Sequence, residues 1–222
     1  ARPEMLALAP YTSARDTFTT TEGDYTFLDA NENPNPSSVN RYPDPSQLVL
    51  KQEIASLRGC AVNQLLIGNG SDEILDLLFR AFCTPNKDDV VLMPPTYGMY
   101  AVLANINGVG IKAVPLTDDF QLNTSQILAT VGPTTKAIFF CSPNNPSGNV
   151  FSKNDMLQLQ ELLKGTNIIL LSDEVYEHII FDGEKHQSAC LFNDLKNRSF
   201  ITASFGKTFH NTGWKIGYCC AP

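Results

Sequence analysis

Two stretches decide how this chain is read: Ile168-Ile169-Leu170-Leu171-Ser172-Asp173-Glu174-Val175-Tyr176, and Ser199-Phe200-Ile201-Thr202-Ala203-Ser204-Phe205-Gly206-Lys207. Each begins as an apolar run that reads as a buried strand, and each passes at its C-terminal end into a polar loop. An acid, Asp173, closes the first run, and a lysine, Lys207, stands just past the second. Open α/β sheets bind ligands in the crevice outside the carboxyl ends of their strands. The two groups are therefore placed to face one crevice.

Outward from this pair, apolar runs alternate with helical patterns. Strands are predicted at 65–67, 90–93, 111–114, 137–141 and 214–220. Helices are predicted at 46–58, from Ser71 through Phe82, at 97–107, near 124–131 and from Ser152 to Leu163. Ser152 suits an N-cap, while Gly59 and Gly165 suit C-terminal stops. The last strand follows its predecessor too closely for a helical crossover, which makes it antiparallel. The pattern predicts an α/β fold: three layers, α/β/α, around a mostly parallel seven-stranded sheet with one antiparallel strand. Residues 1–45, rich in Asn and Pro, read as an N-terminal arm, and 46–222 as one domain. Neither repeats nor low-complexity segments interrupt it.

Composition narrows the function. The 222 residues are 43% hydrophobic and 18% charged, enough for a real core, with a net charge of -7. That balance offers no basic field for nucleic acid or an anionic membrane. No apolar stretch approaches the roughly 18 residues that a membrane span needs. Ala1 to Pro10 lacks the long apolar centre of a secretory signal. Six cysteines, at 60, 83, 141, 190, 219 and 220, form no CxxC pair and no metal-like spacing, so no metal is expected. A reduced, cytoplasmic protein is expected.

Several strand ends carry groups that one flat, phosphorylated ligand needs. Gly68-Asn69-Gly70-Ser71 opens a helix, whose first amides can hold a phosphate; it serves equally as a plain strand-to-helix turn. Asp72 and Glu73 suit the helix dipole but call for a compensating cation beside a phosphate, and Lys215 is the candidate. Tyr97, in Pro94-Pro-Thr-Tyr-Gly-Met-Tyr100, can stack on a heteroaromatic ring or be an ordinary core tyrosine. Asn145, in Asn144-Asn145-Pro146, can reach a ring hydroxyl or belong to a turn. Alone, Asp173 reads as a helix cap and Lys207 as a solvated lysine. Together, a Schiff-base lysine and an acid for a pyridinium nitrogen are the minimum equipment for pyridoxal-phosphate chemistry.

Along almost its whole length the chain resembles the fold-type I pyridoxal-phosphate aminotransferases. The resemblance rests on Gly68-Asn-Gly-Ser-Asp-Glu73, Asn145-Pro-Ser-Gly148, Asp173-Glu-Val-Tyr176 and Ser204-Phe-Gly-Lys207. It implies that Lys207 forms the Schiff base and moves the substrate proton, and that Asp173 holds the pyridine nitrogen. Tyr176 and Asn145 are implied at the ring hydroxyl, and Tyr97 on the ring face. Gly70, Ser71, Asp72, Ser204 and Lys215 are implied around the phosphate. Asn33 and Asn145 are implied at the substrate. Tyr42 resembles the tyrosine that reaches a neighbouring subunit's phosphate, which implies a homodimer.

Residues 1 to about 149, with Leu28-Asp-Ala-Asn-Glu-Asn-Pro34 and Arg41-Tyr-Pro-Asp-Pro45, are similar to histidinol-phosphate aminotransferases. From about 150 the chain looks more like methionine or kynurenine aminotransferases. In the first group a small hydroxyl residue and an arginine usually stand where this chain has Gly206 and Lys215. A recombinant or engineered chimera joined near Gly148-Asn149 is one expectation from that contrast. Family members are longer, so a C-terminal domain carrying the substrate-carboxylate arginine is expected to be missing here. The implied reaction is ping-pong amino transfer between an amino acid and a 2-oxo acid such as 2-oxoglutarate. The donor is histidinol phosphate or an aromatic or sulfur amino acid. Loss of activity by truncation, β-elimination or racemisation by the same cofactor, and a non-catalytic scaffold remain open alternatives.

Overall fold

The computed structural model describes residues 1–12, 23 and 25–222. In chain order the first elements are α1 (Pro3–Leu6), α2 (Leu48–Arg58), β1 (Leu65–Gly68), α3 (Gly70–Phe82), β2 (Asp89–Leu92), α4 (Met99–Ile106) and β3 (Gly110–Ala113). There follow α5 (Thr124–Thr130), β4 (Thr135–Cys141), α6 (Lys153–Leu163), β5 (Ile169–Asp173), α7 (Asn193–Lys196), β6 (Ser199–Ser204), α8 (Phe205–Thr208) and β7 (Gly217–Cys220). Every predicted strand is present, six of them with ends shifted by no more than two residues. The last is the most shortened, because a 3-10 turn takes Thr212–Trp214 and Lys215 has a left-handed φ of 52°. The predicted arm at 1–45 contains the short helix α1, and part of it lies outside the described residues. Ser152 does cap α6: its hydroxyl accepts from the Asp155 amide at 3.2 Å, and Asp155 returns a bond to the Ser152 amide at 2.7 Å.

The sheet runs β1-β7-β6-β5-β4-β2-β3. β3, β2, β4, β5 and β6 are mutually parallel, and β7 is antiparallel to both β6 and β1. Helices cover both faces, which is why the central strands are continuous apolar runs rather than alternating ones. Val90, Leu92, Phe139 and Leu171 pack under α3 and α4, through Ile74, Leu75, Phe79, Tyr100 and Leu103. The intervening residues Val91, Ile138, Phe140 and Leu170 face the other way, onto Ile127, Met156, Leu159 and Leu195 of α5, α6 and α7. Ile54 and Ala55 of α2 close that second face against Leu65, Ala203 and Tyr218.

Registers bring the functional ends together. Cys141 pairs with Asp173, and Asp173 with Thr202, so β4, β5 and β6 end nearly level. Because β7 runs the opposite way, its first residue, Gly217, lies beside the last residues of β1 and β6, Gly68 and Ser204. The turn that carries Lys215 thus arrives at the same edge. A Cβ on Gly217 would stand 2.6 Å from Gly70 C and from Ser71 N, so only glycine permits the strand to touch the start of α3. Both contacts are backbone atoms in a packed region, and overpacking of this kind costs about 1–3 kcal/mol. Gly217→Ala is therefore expected to lower the chemical-denaturation stability by about 2 kcal/mol. An unchanged midpoint would show that the approach is looser than described.

Candidate functional site

At the edge where β1, β2, β4, β5 and β6 end, the chain folds around one cleft. Gly70, Ser71 and Asp72 reach it from the first turn of α3, and Tyr97 from the loop between β2 and α4. Asn145 follows β4, Asp173 and Tyr176 come from the end of β5, and Ser204 and Lys207 from β6 and α8. Lys215 completes the wall from the turn before β7. Ten of the residues singled out from the sequence therefore meet here. Asn33 and Tyr42 do not line the cleft, because both sit on the exposed N-terminal segment. The Asn33 side chain accepts instead from the Asn35 amide at 3.0 Å.

Asp173 is the most perturbed acid of the cleft. Its residue is 3% exposed, and burial pushes the carboxyl up from 3.8 to about 6. Two hydrogen bonds oppose that shift by favouring the charged form: Tyr100 Oη donates to Oδ2 at 2.6 Å, and the Val175 amide to Oδ1 at 3.3 Å. Tyr100 is fully buried, so desolvation first and the nearby Asp173 second keep its phenol protonated and a permanent donor. Its ring meets Tyr97 edge to face at 5.5 Å and tilts on Phe139 at 5.0 Å.

The sequence alone did not single out Tyr100 for a role. Its signal was present: a tyrosine three residues after Tyr97, on the same helical face as Leu103 and Ala104, carries a hydroxyl into an apolar stripe. Cys141, Val175, Gly206 and Thr212 also line the cleft without having been singled out for it.

Glu174, the residue just past β5, points to the opposite face and is 1% exposed. Ser172 Oγ and the Ala189 amide donate to one of its oxygens at 2.7 and 3.0 Å, and His186 Nε2 lies 2.8 Å from the other. Glu174, Glu177 and His186 bring three ligand-type atoms within 4.8 Å. Arg58 already occupies Glu177 as a bidentate ion pair, while also donating to Tyr218 Oη at 2.6 Å. This cluster ties α2 to the sheet.

On the far side of the cleft, Asp72 receives Tyr97 Oη at 3.1 Å on Oδ1 and Lys215 Nζ at 3.0 Å on Oδ2. Glu73 turns back to accept the Asn69 amide at 2.5 Å. Lys207 Nζ stands 5.8 Å from the centroid of the Tyr176 ring. Asn144 is buried and holds the two neighbouring loops together, donating to Pro95 O at 3.0 Å and to Ser147 Oγ at 2.7 Å.

The cleft suits a phosphorylated pyridine. Gly70, with φ at +77°, leaves open the space that a Cβ would share with Lys215 at 3.3 Å, and the first amides of α3 open beside that cation. A lysine amine, a buried acid for a ring nitrogen and a flat tyrosine share the same walls. These are the parts of a pyridoxal-phosphate site.

The comparisons agree. A family model described as aminotransferase class I and II matches residues 21–222, and the chain belongs to that family. Pyridoxal phosphate is the cofactor of the family. Among curated relatives, the histidinol-phosphate aminotransferase of Flavobacterium johnsoniae is 46% identical over 99% of this chain and 61% of its own length. That of Christiangramia forsetii is 45% identical over 97% and 60%. The chain thus spans about three fifths of the relatives it matches. Both alignments cover nearly all of this chain and so include residues on either side of Gly148-Asn149.

Among solved structures, N-succinyldiaminopimelate aminotransferase from Mycobacterium tuberculosis superposes with a TM-score of 0.78. It is 31% identical and covers 83% of this chain and 51% of its own. An Escherichia coli protein with a methionine aminotransferase function gives 0.73 at 31% identity, covering 80% and 48%.

The raised carboxyl of Asp173 has a consequence for stability. The folded chain binds that proton more tightly than the unfolded chain, so the contribution is complete below about 3.8 and lost as pH rises through about 6. Above that window the buried charge costs on the order of 2–3 kcal/mol. Asp173→Asn keeps an acceptor for Tyr100 and removes the charge. In denaturant melts without cofactor it is expected to stabilise the protein at pH 8 and to have little effect at pH 4. Equal effects at both pH values would contradict the assignment.

Proposed function

We propose that this chain forms the cofactor-binding part of an aminotransferase whose amino donor is histidinol phosphate and whose acceptor is a 2-oxo acid such as 2-oxoglutarate. The observation that carries the reading is the convergence of Lys207, Asp173, Tyr176, Tyr97 and the Gly70-Ser71 turn on one cleft. Histidinol phosphate is favoured over methionine because the relatives named for it match at 45–46% identity, against 31% for the methionine aminotransferase.

When bound, pyridoxal phosphate supplies a ring that accepts the electron pair left behind as a proton leaves the α-carbon of the donor. The side chains then divide the work by position. Lys207 would hold the cofactor at its aldehyde carbon and, once displaced by the donor's amine, its free amine would move the proton from the donor's Cα. Asp173, braced by Tyr100, would hold a proton on the ring nitrogen. Tyr176 and Asn145 would bond the ring hydroxyl, and Tyr97 would cover the ring. Ser71, Ser204, Lys215 and the first amides of α3 would hold the phosphate.

Residues 1–45 serve as an arm and 46–222 as the cofactor domain. The protein works as a homodimer in which Tyr42, 69% exposed and outside its own cleft, serves the neighbouring subunit.

Titrating the chain with pyridoxal phosphate is expected to produce an absorbance band that borohydride fixes to the protein, with Lys207→Ala abolishing both. Adding histidinol phosphate to the loaded protein is then expected to discharge the band faster than methionine does. A band that survives in Lys207→Ala sinks the cofactor assignment, and a preference for methionine sinks only the choice of donor.

A further inference from the structure

An acid at the mouth of a phosphate site is unfavourable for the ligand, and Asp72 is one. It lies in the first turn of α3, within a side chain's length of the amides that face the phosphate. Its neighbour Glu73 is turned away onto the Asn69 amide, so the negative charge facing Lys215 is that of Asp72. The Lys215 side chain lies across Gly70, where a Cβ would meet its Cδ and Cε at 3.3 Å, and its ammonium ends on Asp72 Oδ2 at 3.0 Å. The other oxygen, Oδ1, takes the Tyr97 hydroxyl at 3.1 Å. One carboxylate therefore grips both the cation meant for the phosphate and the aromatic meant for the ring.

Stability does not account for the arrangement. The side chains of Asp72 and Lys215 are 29% and 54% exposed, and ion pairs that open to water add about 0–1 kcal/mol. Its effect is on position and charge. The Tyr97 phenol, pushed up to about 12 by burial first and by Asp72 second, stays a donor, so its ring is tethered at the far end from its Cα. The ammonium of Lys215 is kept over the start of α3 but is not free.

Resting on the cofactor reading above, we propose that Asp72 is a positioning residue that makes the cofactor phosphate share Lys215. It thereby fixes Tyr97 while holding affinity for the phosphorylated ring below what Lys215 and the α3 amides would give unopposed. Asp72 sets how strongly the site distinguishes pyridoxal phosphate from pyridoxal.

The test measures equilibrium dissociation constants of pyridoxal phosphate and of pyridoxal, by the Lys207-dependent band, for the unmodified chain, Asp72→Asn and Asp72→Ala. Asp72→Asn keeps an acceptor for Tyr97 and removes the charge. It is expected to tighten pyridoxal phosphate about five-fold at low salt, to leave pyridoxal unchanged, and to lose its advantage as salt is raised. Asp72→Ala also releases Tyr97 and is expected to weaken pyridoxal about three-fold, as loss of one ring anchor would.

Phosphate affinity that is unchanged or weaker in Asp72→Asn overturns the proposal. So does an equal shift of both ligands, which would make Asp72 a merely structural residue. Absence of any Lys207-dependent band in the unmodified chain would overturn the cofactor reading itself, and shows before a variant is made.

Discussion

The site depends on the reversed strand β7 being pressed between β1 and β6, with Gly217 in contact with the backbone of Gly70 and Ser71. A parallel sheet collects ligand-binding groups only from the carboxyl ends of its strands. An antiparallel member delivers its amino end to that same edge, and with it the turn bearing Lys215. Backbone meets backbone there, where the start of α3 packs against the start of β7. The backbone of Lys215 and the first amides of α3 are thereby brought to one corner, and only the lysine's own stem is left to place its ammonium.

Across the cleft the governing term is the desolvation of one carboxylate. Asp173 is buried, and burial favours its protonated form. The bond from Tyr100 counters this from within the core, anchored by ring contacts to Tyr97 and Phe139. Packing of α4 on the sheet and the charge state of the acid are therefore the same problem. Disturbing the aromatic stack reaches Asp173 by way of the Tyr100 hydroxyl.

The fold was largely legible because both faces of the sheet are covered. Fully buried strands leave unbroken apolar runs such as Ala137–Cys141, and polar residues bunch where those runs stop. The strand-end positions of Asp173, Asn145, Tyr97 and Gly70 follow from that punctuation. The partner of Asp173 did not show in the same way, since Tyr100 looks like any aromatic on a helix's core face until the pairing of α4 with β5 is known. The double grip of Asp72 was hidden for a related reason: it joins residues 72, 97 and 215, and only the order of the strands makes them neighbours. Lys215 itself was visible as a charge in need of an opposite, but its left-handed backbone was not, and it shortened the predicted last strand.

Two buried acids stand side by side at the end of β5, facing opposite layers. Asp173 opens into the cleft, while Glu174 is enclosed by Ser172, His186 and the Ala189 amide. A slip of the strand by one position would exchange their sides. The longer acid would be forced into the cleft, and His186 and the Ala189 amide would be left behind the sheet without their acceptor. Misregistered copies of this strand thus incur a penalty on both faces at once. The same dipeptide that lies at the cleft also favours one alignment of the sheet over its neighbours.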